Sequence, residues 1–187
     1  MKLNAIASAI ILSSSILSGA ALASDGTVHF RGEIIDSACE ITTVTKEQNV
    51  DLGKVSKTAF NGVGSTSAPT QFTISLEKCP PTYTKASVRF DGTEAGNGDL
   101  AIGNPEKTGT PGDFTGTGDA VTATGVAIRI YNRADNSQVE LYKDSATTDI
   151  VDTKADLKFI ARYIATSTTV TPGTANADSQ FTVEYVK

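Results

Sequence analysis

The chain has 187 residues, with 16 Lys+Arg against 21 Asp+Glu, two cysteines, one histidine and no tryptophan. A formal net charge of −5 with no Lys/Arg cluster lacks the electrostatic footprint that phosphate backbones require, so no nucleic-acid partner is expected. Two cysteines and one histidine also fall short of the four side-chain ligands of a structural zinc site, and neither a metal nor another cofactor is expected.

Residues 1–23 read as a cleaved export signal. Lys2 supplies a short positive region, residues 5–17 (AIASAIILSSSIL) an apolar one, and residues 18–23 (SGAALA) a small-residue end that fits cleavage between Ala23 and Ser24. The apolar run is shorter than the roughly 20 residues needed to span a bilayer. Residues 27–36 (TVHFRGEIID) then alternate with period 2. Val28, Phe30, Gly32 and Ile34 share one face, and His29, Arg31 and Glu33 share the other. A glycine inside such a strand is often explained by the close approach of another backbone or side chain. The plain alternative is an edge strand of the chain's own domain, with Gly32 incidental.

Export places Cys39 and Cys79 in an oxidising compartment, where a single intrachain pairing is possible. The bridge closes a loop worth on the order of 4 kcal/mol in the chain-entropy model. A redox-active pair would show C-x-x-C spacing instead. Further strands are predicted at 71–76 (QFTISL), 86–90 (ASVRF), 126–131 (VAIRIY), 157–165 (LKFIARYIA) and 180–186 (QFTVEYV). Turn-rich stretches at 61–69, 91–99 and 104–119 separate them, and 104–125 reads as a long surface loop within one domain. Short strands between Gly/Pro/Asp/Asn loops predict an all-β sandwich with little helix.

No catalytic constellation emerges. His29 lies on the polar face of its strand, and no G-x-S-x-G elbow is present. Gly116-x-Gly118 lacks the strand–turn–helix setting of a phosphate loop, and the acidic run Asp91 to Asp99 lacks calcium-loop spacing.

Three blocks carry a family likeness: GTVHFRGEIIDSAC (26–39), FIARYIAT (159–166) and TPGTANADSQFTVEYV (171–186). Together they resemble bacterial fimbrial subunits of the chaperone–usher route, of the type 1 and P-pilus kind. The resemblance implies a pilin fold, an incomplete immunoglobulin-like sandwich lacking its last strand. It divides the mature chain into an N-terminal donor-strand extension, 24–36, and a pilin domain, 37–187. Val28, Phe30 and Ile34 would enter a neighbour's groove, and Gly32 would sit where a constricted pocket admits no side chain. Gly173, Phe181, Val183 and Tyr185 match the family's C-terminal zipper, which contacts the chaperone. Here Val186 and Lys187 follow the tyrosine, one residue more than the pattern. The partners implied are neighbouring subunits in a homopolymer, a periplasmic chaperone and an outer-membrane usher, with the product exported through the periplasm to the cell surface. The function implied is a structural subunit of a fimbria supporting adhesion. The alternative is a minor adaptor or an adhesive subunit binding a host glycan.

Overall fold

The computed structural model describes residues 28–32, 34, 38–103 and 122–187. The export signal, residues 24–27, Glu33, residues 35–37 and the stretch 104–121 with Gly116-x-Gly118 lie outside the described residues. The chain divides into two units, Met1–Ile34 and Ile35–Lys187. In the first, the described residues belong to no strand, although their alternation predicts one. A strand needs a partner for its N–H and C=O groups, and alternation alone supplies a strand-competent segment without that partner. Its apolar residues stand in the open: Val28 is 75% exposed, Phe30 92% and Ile34 100%.

The second unit is built from β1 (Glu40–Ile41), α1 (Thr43–Lys46), a 3-10 turn (Lys57–Ala59), β2 (Thr70–Glu77), β3 (Lys85–Asp91), β4 (Glu94–Gly96), β5 (Asp99–Ala101), β6 (Val126–Asn132), β7 (Gln138–Val139), β8 (Thr148–Asp149), β9 (Ala155–Ala165) and β10 (Gln180–Val186). One sheet runs β1-β2-β9-β6-β5-β4, with β7 on β6; the other runs β10-β3-β8. Every ladder between these strands is antiparallel. The all-β expectation holds, and the five predicted strands from 71–76 onward appear as β2, β3, β6 and β9 with slightly wider bounds and β10 with the same bounds.

The core follows from period 2. In β2, Phe72, Ile74 and Leu76 lie opposite Phe159, Leu157 and Ala155 of β9, so their side chains share one face. Val88 and Phe90 of β3 meet that face from the other sheet. Phe159 sits 5.4 Å from Phe72 and 5.2 Å from Phe90, ring centre to ring centre. Cys39 and Cys79 form the expected disulfide, joining the residue before β1 to the loop after β2, both nearly fully buried.

The structure departs from the sequence reading in its short elements. The turn-rich stretch 91–99 contains most of the hairpin β4–β5, closed by Asn97-Gly98 with φ of 54° and 73°, the torsions of a type I′ turn. At the end of the expected loop 104–125, Thr122 and Thr124 bridge to Thr174 and Thr171, and Ala123 is buried between them. Asp99, read only as part of an acidic run, is 1% exposed. The Arg129 guanidinium grips it from β6 through Nε–Oδ1 at 2.6 Å and Nη2–Oδ2 at 2.8 Å, and Gln138 of β7 adds a donor at 3.3 Å. That bidentate hydrogen bond is the main reason the Arg129 pKa is raised.

Two outcomes are expected in urea unfolding. Asp99→Ala, which leaves Arg129 partly buried without its counterion, lowers stability by about 3 kcal/mol. Thr153→Gly raises it by about 1 kcal/mol. Asp152 and Thr153 turn between Val151 and Lys154 at φ of 49° and 64°, a conformation that disfavours a β-branched residue and that glycine adopts freely.

Candidate functional site

The strand β10 is paired on one side only. Its register with β3 runs from Gln180 opposite Asp91 to Val186 opposite Lys85, and among the described residues no strand pairs with its other edge. The direction of its backbone groups follows from β3. The carbonyls of Phe90 and Val88 accept from the N–H groups of Tyr142 and Ser145, away from β10. Antiparallel alternation then turns the bonding groups of Asp91, Arg89, Ser87 and Lys85 toward Gln180, Thr182, Glu184 and Val186. The N–H and C=O groups of Phe181, Val183 and Tyr185 therefore point to the open edge.

The same three residues turn their side chains to the core. Phe181, Val183 and Tyr185 pack against it yet stay only half-buried, whereas Val88 and Phe90 on the adjacent β3 are at most 4% exposed. Ile41 of β1, Val50, Leu52 and Val55 of the following segment, and Ala175 and Ala177 ahead of β10, are half-buried in the same way. A closed sandwich covers such residues from both flanks. Tyr185 stacks on Tyr83 with ring centres 5.0 Å apart. Burial raises its pKa, and a hydrogen bond with the Cys39 backbone acts in the opposite sense. On β9, the Tyr163 hydroxyl donates to the Ala175 carbonyl at 2.9 Å; burial and the Asp51 carboxylate raise its pKa.

Of the C-terminal residues singled out in the sequence, Phe181, Val183 and Tyr185 share one face of β10, while Gly173 lies exposed ahead of the strand. Val28, Phe30 and Ile34 present uncovered apolar surface. Gly32 has no internal reason to be glycine: a Cβ built there meets nothing within 4 Å, and its φ is not in the left-handed region. The half-buried run Val50, Leu52 and Val55 went unremarked in the sequence, although the i, i+2 spacing of Val50 and Leu52 was visible. Among the described residues no group of His, Cys, Asp and Glu could hold a metal ion, and no helix is long and apolar enough to cross a membrane.

The family described as "Fimbrial protein" matches residues 28–186. The chain is 37% identical over 168 residues to long polar fimbria protein A of Salmonella typhimurium, covering 89% of this chain and 86% of the relative. It is 41% identical over 172 residues to the type-1 fimbrial protein subunit of Serratia marcescens, covering 88% and 89%. Among solved structures, an antigen and type I fimbria protein of Burkholderia pseudomallei is 34% identical at a TM-score of 0.53, covering 81% of this chain and 91% of that one. The P pilus rod subunit PapA, 21% identical, shares the fold at a TM-score of 0.60 over 80% of this chain and 100% of its own.

The open edge has a direct readout in amide hydrogen exchange of the monomer. The amides of Phe181, Val183 and Tyr185 should exchange at least about tenfold faster than those of Thr182 and Glu184, whose bonds to β3 must open first. Equal protection of all five would show that the edge is covered.

Proposed function

This chain belongs to the fimbrial protein family and is a structural fimbrial subunit, and on that premise we propose how it polymerises. Residues 24–36 of one copy add as a strand to the open edge of β10 in the next, the donor-strand mode of β-augmentation. Before that step a periplasmic chaperone occupies the same edge, and an outer-membrane usher passes the subunit to the cell surface. The face formed by Phe181, Val183 and Tyr185 lies on the strand where the resemblance places the C-terminal chaperone-contacting zipper.

The observation that carries the reading is the pairing of two incomplete features. One is a strand edge with free backbone groups and a half-covered apolar face. The other is a segment with three uncovered apolar side chains and a glycine that nothing nearby requires. Each supplies what the other lacks. Burying Val28, Phe30 and Ile34 gives roughly 1.5–3 kcal/mol each before ordering costs. Added main-chain bonds fix the strand, and a one-residue slip would turn His29 and Arg31 into the groove.

A glycan-binding role has less support. A cleft of about 430 Å³ lined in part by Asn132, Arg133, Asp156, Lys158 and Phe159 offers a sugar no open aromatic face, because Phe159 is 1% exposed.

Phe30→Asp and Gly32→Arg should each leave the chaperone–subunit complex intact and stop polymer growth, read by complex yield and by fibre length. Fibres of normal length from both variants would overturn the proposal.

A further inference from the structure

Apolar alternation selects a face but not a register, because slips of two residues keep every side chain on its side. We propose that Arg31 of one copy pairs with Glu184 of the next, a cross-strand ion pair that selects a single register for the inserted strand. The inference rests on the donor-strand reading and adds a register-determining pair to it. Both residues are exposed, and neither forms an ion pair among the described residues. Arg31 lies on the polar face of the segment, and Glu184 on the outward face of β10.

The inserted strand is taken antiparallel to β10, as all the sandwich ladders run. Setting Arg31 opposite Glu184 then puts Phe30 against Tyr185, Gly32 against Val183 and Ile34 against Phe181. A two-residue slip one way moves Arg31 opposite Thr182 and leaves His29 facing Glu184. The opposite slip moves Arg31 to Val186 and brings the carboxylate of Glu33 against that of Glu184. Only the first register matches full opposite charges. Its geometry is also favourable. The backbone groups of Phe181, Val183 and Tyr185 point to the open edge, so their pairs are the hydrogen-bonded ones. Arg31 and Glu184 fall at a non-hydrogen-bonded pair, where opposite Cα atoms stand about 4.5 Å apart and side chains are closest.

The test is the polymerisation rate of the full chain released from its chaperone complex, at low salt and at about 1 M NaCl. Arg31→Glu and Glu184→Arg should each slow growth about three- to tenfold at low salt, because like charges then stand opposite each other. The double reversal should return the rate to within about twofold of the parent, and high salt should erase the differences. Parent-like rates in either single variant, or no recovery in the double variant, would overturn the ion pair. Phe30→Asp in the same assay separates the two readings. If it grows normally, the donor-strand reading itself fails. If it is blocked while Arg31→Glu grows at the parent rate, only the ion pair fails.

Discussion

Hydrogen-bonding capacity at a sheet edge is the constraint from which the rest of this structure follows. A strand at an edge carries a row of N–H and C=O groups that only water or another strand can satisfy, and folded proteins usually shorten, charge or cover such edges. The free side of β10 is neither short nor, among the described residues, covered over the stretch Phe181 to Tyr185, and its inward side chains are apolar. Long unprotected edges invite pairing with other chains, which is a hazard in a monomer and a requirement in a subunit that assembles through its edges. The charged outward residue Glu184 does not close the edge; it constrains which strand fits there.

The remainder of the sandwich is stabilised independently of that edge. The larger sheet has an interior of closely packed aliphatic and aromatic residues centred on Phe159, and the disulfide and the Asp99–Arg129 pair fasten its periphery. These contacts lie within one copy. The inward residues of β10 are among the half-covered ones, whereas Ile74, Leu76, Val88, Leu157 and Phe159 are fully buried, so the unit can hold its shape while the edge stays available.

Much of this was legible in the sequence, and the limits were physical ones. Strands of seven or more residues leave a period-2 signature, which is why Phe72, Ile74 and Leu76, or Phe181, Val183 and Tyr185, could be placed on a face from sequence alone. Two-residue strands such as β1, β7 and β8 are too short to show a period. Edge status was not legible, because it depends on which strands fail to come alongside and leaves no local trace. The burial of Asp99 was likewise hidden, since its partner Arg129 lies thirty residues away in the sequence. At Gly32 the alternating pattern contains a glycine for which the chain's own structure supplies no internal reason.

The disulfide has a mechanical consequence. In a fibre assembled as proposed, tension enters each subunit through its N-terminal segment and reaches the domain at Cys39. The bond to Cys79 is a covalent shortcut, so the pull passes directly to the start of the loop that leads into β3 and from there toward β10. The polypeptide between the two cysteines, including β1, α1 and β2, is left out of the load path. Stretching such a fibre would strain the junctions between copies and the short route from Cys79 to β10, while β2 and its ladder to β9 stay slack.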